Sequence, residues 1–115
     1  MAGAPVISSR KVKGTAVFDD NGDRLGAIEN LYIDKNSAVI RYAVLEFGGL
    51  FGIGTERCPV PWSMLKYVEL LNGYLVPISR ARLANAPRYT PGKLFEETVE
   101  YGRMVYGHYG VDWEN

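Results

Sequence analysis

The residues best suited to covalent chemistry are a single cysteine, Cys58, and a single histidine, His108. An imidazole beside a thiol can generate a nucleophilic thiolate, so this pair is possible in principle. Cys58, however, stands between Arg57 and Pro59 in an apolar segment, where cysteine usually serves as a small buried residue. One cysteine and one histidine also cannot supply the four ligands of a structural zinc site. The sequence therefore predicts no catalytic residue and no Cys/His metal site.

An acidic cluster at residues 19–23, with the sequence DDNGD, has the composition of a calcium loop but not its spacing. If Gly22 were the sixth residue of such a loop, the first and twelfth would be Val17 and Ile28, which carry no oxygen ligands. Asn-Gly between alternating segments is instead typical of a β-hairpin with a type I′ turn. We therefore predict a turn here and no metal.

A glycine-rich stretch at residues 48–54, GGLFGIG, resembles a phosphate loop only in its glycine content. It lacks the Gly-Lys-Ser/Thr ending, and prolines follow in place of a helix, so we predict no nucleotide and no other cofactor. Its apolar residues, Leu50, Phe51 and Ile53, are costly to leave in water. We predict that they form a partner-binding surface, while packing inside the chain's own core remains the alternative.

Basic residues are concentrated in two places. Arg10, Lys11 and Lys13 form a small cluster that we interpret as part of a solvated lead-in. Residues 80–93 contain four cations and no acidic residue, which permits contact with RNA or with an acidic cluster at residues 96–100 of a neighbouring chain. Because 13 basic residues balance 13 acidic ones, the overall charge does not favour nucleic acid as a partner.

Period-two alternation of apolar residues predicts six strands, at residues 15–19, 24–33, 39–47, 55–60, 68–71 and 74–78. Gly26 marks a bulge or a close contact, and Pro59 and Pro61 place the fourth strand at an edge. A second Asn-Gly pair, Asn72-Gly73, predicts a tight hairpin. Short strands joined by tight turns predict a mainly β fold, a small closed or nearly closed antiparallel barrel.

Helical turns are predicted at residues 61–65 and 79–86, followed by a linker and a final helix that starts near Pro91. Its apolar stripe contains Phe95, Val99, Gly102, Tyr106, Tyr109 and Trp113. Gly102 would allow another backbone to approach. The stripe packs either on the barrel of its own chain or across a dimer. We predict a homodimer and assign partner binding to Phe95, Val99, Tyr106 and Tyr109.

The 115 residues are enough for one domain with a modest core. The first residues do not have the pattern of a signal peptide, and no apolar run is long enough to span a membrane. A single cysteine excludes a disulfide within the chain and suits a reducing compartment. We therefore expect a cytoplasmic protein without membrane insertion.

The order and spacing of turn and core residues over about residues 10–87 resemble the PRC-barrel family. The residues that carry the resemblance are Gly14, Val17, Asn21-Gly22, Leu25-Gly26, Ile28, Leu31, Ile33-Asp34, Tyr42-Ala43-Val44, Gly48-Gly49, Gly52, Gly54, Pro61-Trp62, Leu65 and Ala86-Pro87. The family joins the cytoplasmic domain of the photosynthetic reaction-centre H subunit to the C-terminal domain of the rRNA-processing factor RimM. This chain lacks the transmembrane helix of the first and the additional barrel of the second, so it is similar to the stand-alone bacterial type.

The resemblance implies a β-barrel of SH3-like size that acts through protein contacts, and it carries over no catalytic residue. We divide the chain into a flexible segment 1–9, a PRC-barrel domain 10–87, and a linker with an amphipathic helix 88–115. The expected function is a non-enzymatic interaction, assembly or adaptor module that associates with itself and with an unidentified protein. The alternative is a RimM-like accessory protein of the ribosome or of RNA processing.

Overall fold

The computed structural model describes residues 5–48, 55–86 and 99–113. The six strands are β1 (Ala16–Phe18), β2 (Arg24–Ile33), β3 (Ile40–Gly48), β4 (Thr55–Pro61), β5 (Lys66–Val68) and β6 (Gly73–Leu75). The α-helices are α1 (Ser9–Val12), α2 (Arg80–Ala84) and α3 (Val99–Tyr109). Two short 3-10 turns lie at Trp62–Met64 and Glu69–Leu71. The predicted mainly β fold with a C-terminal helix is confirmed.

The strands form one sheet in the order β4-β3-β2-β1-β6-β5, which differs from the predicted antiparallel barrel. β1 and β6 run parallel, so the sheet is mixed. Among the described residues no strand pair joins β4 to β5, so hydrogen bonds do not close the sheet. The sequence missed the parallel pair because turn signals specify neighbouring strands, whereas β1 and β6 are far apart in the chain.

The long β2–β3 hairpin forms the middle of the sheet and contains the predicted close contact at Gly26. A Cβ at Gly26 would collide with the backbone carbonyl oxygen of Glu46 on the neighbouring strand. The register also shifts between Val17 and Phe18, which pair with Gly26 and Arg24. Gly26 is therefore required by the approach of two backbones beside a bulge.

β4 is an edge strand, as its prolines predict. Pro59 pairs with Val44 and Pro61 with Tyr42 on one side of the strand only. Because proline has no N–H, it suits a strand with one hydrogen-bonded neighbour. The predicted helical turn after Pro61 is present as the 3-10 turn, and Trp62 packs against Tyr74 with ring centroids 5.3 Å apart.

Both Asn-Gly hairpins exist, but the first lacks the predicted type I′ turn and the second has a longer connection than predicted. At the first, Gly22 has a positive φ and Asn21 does not. At the second, Asn72 has a φ of 49° and Gly73 belongs to β6. The β5–β6 pairing therefore differs from the prediction, since Tyr67 pairs with Tyr74 and residues 69–71 form the 3-10 turn.

The core lies between the sheet and the helices. Val17, Ala43, Val44, Leu45, Cys58, Val60, Val76, Leu83 and Val105 are completely inaccessible to solvent. α2 begins at the Ser79 cap, whose side chain accepts a hydrogen bond from the backbone N–H of Arg82. α3 packs against β4 and is part of the same core.

α3 ends in a turn that sends the chain back along the helix. Gly110 has a φ of 71°, and the N–H of Val111 donates to the carbonyl oxygen of Tyr106 at 3.0 Å. The N–H of Gly110 donates to the carbonyl oxygen of Gly107 at 3.2 Å, which completes a Schellman motif. This turn carries Trp113 back to the first half of α3.

Candidate functional site

The predicted partner-binding residues fall into two groups. Leu50, Phe51, Ile53 and Phe95 lie outside the described residues. Val99, at the start of α3, is 47% exposed, whereas Tyr106 and Tyr109 are 7% and 5% exposed. Of the three described residues, Val99 is therefore the one that a partner can reach in this conformation.

Tyr106 and Tyr109 attach α3 to the sheet of their own chain. The Tyr106 hydroxyl donates to the backbone carbonyl oxygen of Arg41 on β3. Burial raises the pKa of Tyr106, and the nearby charge of Arg41 opposes this rise. The Tyr109 hydroxyl lies 3.3 Å from the buried sulfur of Cys58. Both tyrosines are packing residues here and not an exposed surface, because the aromatic stripe of α3 faces β4.

Gly102 is contacted by a side chain, which corrects the prediction that it admits another backbone. The ring of Trp113 lies over it, and a Cβ at residue 102 would be 2.5 Å from Trp113 Cζ3. The same ring packs edge-on against Tyr106, with centroids 4.8 Å apart. The tail after α3 is thus fixed to the helix that it follows.

Arg41 joins the tail of the chain to the β2–β3 turn. Its guanidinium lies 4.7 Å from the centroid of the Trp113 ring, a cation–π geometry. Its Nη2 lies 3.2 Å from Oδ2 of Asp34. Oδ1 of Asp34 accepts from the N–H groups of Asn36 and Ser37 at 2.9 and 3.0 Å. The backbone donors of Ser37 and Asn36, with Arg41 adding to them, lower the pKa of Asp34.

A groove of about 590 Å³ opens between the β2–β3 turn and the start of α3. Its lining residues are Tyr32, Ile33, Asp34, Lys35, Asn36, Arg41, Tyr42, Val99 and Trp113. Tyr32 and Tyr42 stack with ring centroids 5.0 Å apart, and Tyr42 meets Tyr101 edge-on at 6.3 Å. The groove therefore combines aromatic side chains held by neighbours with a fixed ion pair.

Two aliphatic side chains of this groove face solvent. Ile33, the last residue of β2, is 57% exposed, and Val99 is 47% exposed. Sequence reasoning named Val99 and missed Ile33, Arg41 and the groove position of Trp113. Ile33 had a usable signal, since it is a β-branched residue at the strand end just before a polar turn. No sequence signal indicated the role of Arg41, because its partners Asp34 and Trp113 are brought together only by the fold.

The comparison with protein-family models identifies one domain in this chain. The model described as PRC-barrel domain matches residues 5–83, which is more than half of the chain. This chain belongs to the PRC-barrel domain family. A search of curated proteins gives no match. The family suggests a protein-interaction or assembly module, which agrees with the resemblance found in the sequence.

The PRC-barrel match contains all six strands, while α3 lies beyond it. The groove therefore has one wall from the PRC-barrel domain, at Ile33 and Asp34, and one from the appended residues Val99 and Trp113. No helix among the described residues is long and apolar enough to cross a membrane. In the same part of the chain, no three His, Cys, Asp or Glu residues are grouped as a metal site would require.

Other chemical candidates in the PRC-barrel protein have structural roles. Asp19 accepts the N–H groups of Asn21 and Asp23, both at 2.9 Å, and so builds its own turn. The Nε2 of His108 lies 3.3 Å from the carbonyl oxygen of Arg82, and its ring packs edge-on against Tyr109 with centroids 4.8 Å apart.

The described arginines of the basic stretch contact backbone carbonyls. Arg80 donates to the carbonyl oxygen of Arg24 at 2.8 Å, beside a cavity of about 350 Å³. Arg82 donates to the carbonyl oxygen of His108 at 3.1 Å. Both contacts hold elements of the fold together. The remaining residues of the stretch, Arg88 and Lys93, lie outside the described residues.

Proposed function

We propose that this PRC-barrel protein is a non-enzymatic interaction and assembly module that associates with a second copy of itself through the groove between the β2–β3 turn and α3. The observation that carries the proposal is the exposure of Ile33 and Val99, two aliphatic residues that both line that groove. Exposed β-branched side chains beside aromatic rings gain free energy when a partner removes them from water, at roughly 25 cal/mol per Å².

A second copy is the occupant that the charges favour. Asp34 and Arg41 neutralise each other at 3.2 Å, so that Lys35 is the remaining charged residue among the described residues that line the groove. Two such surfaces can face each other across a twofold axis without a large repulsion between like charges. The balanced charge of the whole chain acts in the same direction, since copies do not repel at long range.

The rigid construction of the groove also supports a binding role. Tyr32 stacks on Tyr42, and Arg41 holds both Asp34 and the Trp113 ring. Side chains that are fixed before binding lose little conformational entropy when a partner docks. A given buried interface area can therefore provide a higher affinity. The same contacts support a structural role for Asp34, because its carboxylate accepts from two backbone N–H groups and pairs with Arg41.

The experiment introduces a charge into the apolar part of the groove. Ile33→Asp and Val99→Asp are each compared with wild type by light scattering over a micromolar concentration range. We expect wild type to give twice the chain mass and each variant to shift toward the chain mass, because a buried unpaired carboxylate is strongly unfavourable.

Leu70→Asp is the matched control, because Leu70 is 97% exposed in the turn between β5 and β6 and does not line the groove. It should leave the dimer intact. Thermal melts establish that all three variants fold. A monomeric wild type, or a loss of mass in the Leu70 variant equal to that in the groove variants, would overturn the proposal.

A further inference from the structure

The segment that precedes β1 presents apolar and basic side chains together on the surface. Val6 and Ile7 are 80% and 41% exposed. Arg10, Lys11 and Lys13 follow within a few residues, and all three are exposed. We call residues 6–13 the basic-apolar segment. None of its residues lines the groove.

The short helix α1 fixes the direction of the cations. Ser8 caps it, with its hydroxyl accepting the N–H of Arg10 at 3.2 Å. Val12 is 4% exposed and anchors the helix to the core, so Arg10 and Lys11 are turned away from the sheet. The carbonyl oxygen of Lys11 accepts the hydroxyl of Thr15 at 2.6 Å, which fixes the exit of the chain toward β1.

The charge of this surface is not compensated within the described residues. Arg10, Lys11 and Lys13 take part in none of the ion pairs there, which join Arg41 to Asp34 and Arg57 to Glu29 and Glu46. The first acidic residue of the chain is Asp19, beyond the far end of β1. Asp19 is buried and bonded to its own turn, so it does not face the cations.

We propose that the basic-apolar segment attaches the protein peripherally to an anionic lipid surface. Lysine and arginine are attracted to the negative potential of acidic headgroups, and exposed aliphatic residues insert at the boundary between headgroups and acyl chains. The pair Val6–Ile7 favours a bilayer over nucleic acid, since a phosphate backbone offers no apolar phase for these side chains. In the proposed dimer, two such segments would bind the same membrane, and this avidity would raise the overall affinity.

The test is flotation of the full chain with vesicles at low salt. Vesicles of phosphatidylcholine alone are compared with vesicles that also contain phosphatidylglycerol. We expect binding to the mixed vesicles and little to the neutral ones, with a fall in binding as salt is added. Reversal of Arg10, Lys11 and Lys13 to Glu should abolish binding, because each basic residue contributes about fivefold to the partition constant.

Two further variants separate lipid contact from a general effect of charge. Lys66→Glu, on the exposed strand β5, should bind almost as wild type does. Val6→Ser combined with Ile7→Ser should bind several-fold less tightly while keeping all three cations. The proposal would be overturned if wild type bound both vesicle types equally, or if either the triple reversal or the double serine variant bound mixed vesicles as tightly as wild type. Binding to soluble polyglutamate without binding to mixed vesicles would overturn it as well.

Discussion

The ring of Trp113 fills the space that a side chain at residue 102 would occupy. Glycine at that position is therefore part of a fitted contact between the tail and α3, and a Cβ there would be 2.5 and 2.6 Å from two atoms of the indole. The contact holds Trp113 against Tyr106 and under Arg41, and so sets one wall of the groove.

Gly102→Ala should destabilise the protein, although alanine is the better helix former by about 1 kcal/mol. The new methyl group must displace the indole, and overpacking of this kind costs about 1–3 kcal/mol. Gly107→Ala, in the same helix with no atom within 4 Å of its Cβ, is the control and should gain stability. Urea unfolding measures both. A similar increase in the free energy of unfolding in both variants would mean that the Trp113 ring can move away from residue 102 at little energetic cost.

Tyr106→Phe should lower the free energy of unfolding by about 1 kcal/mol, the typical contribution of one hydrogen bond. The substitution keeps the ring against Trp113 and removes the hydroxyl that donates to the carbonyl oxygen of Arg41. Tyr67→Phe is the control, because Tyr67 is 37% exposed at the sheet edge. The rate at which a thiol reagent labels Cys58 gives a second readout, and it should rise in the Tyr106 variant if α3 loosens. Equal stability of both variants would refute the role of this bond.

Asp34→Asn should remove an acid-dependent part of the stability. The folded-state pKa of Asp34 lies below the ordinary value of 3.8, so its carboxylate stabilises the fold at pH values well above 3.8. That contribution decreases as the pH falls from there through the lower folded-state pKa, where the carboxyl becomes protonated in both states. The difference in melting temperature between wild type and variant should therefore be largest at neutral pH and shrink in acid. A difference independent of pH would show that charge is not involved.

Much of the sheet could be predicted from the sequence because alternation and prolines act locally. The bounds 24–33 of β2 agree with the prediction, and Pro59 and Pro61 correctly placed β4 at the edge. The turn types could not be predicted from Asn-Gly alone. Asp19 builds the first turn with its own side chain, and the close approach of Gly73 to Ala16 places that glycine inside a strand.

The candidate site was predicted only in part, for a related reason. The apolar stripe of α3 was evident from its spacing, but periodicity does not say which of its residues another element covers. Tyr106 and Tyr109 are buried against β3 and β4, where they contact Arg41 and Cys58, whereas Val99 of the same stripe is 47% exposed. The link from Asp34 through Arg41 to Trp113 joins residues far apart in sequence, and its geometry depends on the Schellman turn at Gly110.

Gly73→Ala tests the parallel pair that the sequence did not indicate. A Cβ at Gly73 would lie 2.5 Å from the carbonyl oxygen of Ala16 and 2.9 Å from the ring of Phe18. Separation of β6 from β1 should lower the free energy of unfolding by roughly 1–3 kcal/mol, within the range of most destabilising substitutions. Amide exchange by NMR should show lost protection at Val76, whose N–H donates to the carbonyl oxygen of Phe18. Unchanged protection at Val76 would contradict the assigned pairing.

The parallel pairing of Ala16 with Gly73 also has a consequence for the folding rate. The hairpins β2–β3 and β5–β6 join neighbours in the chain, whereas this pair closes a loop that contains most of the strands. The chain must lose the conformational entropy of this loop before the contact can stabilise the fold, and a high contact order therefore slows folding. We therefore expect the two hairpins to form early and independently, with the docking of β1 against β6 as the step that limits the rate.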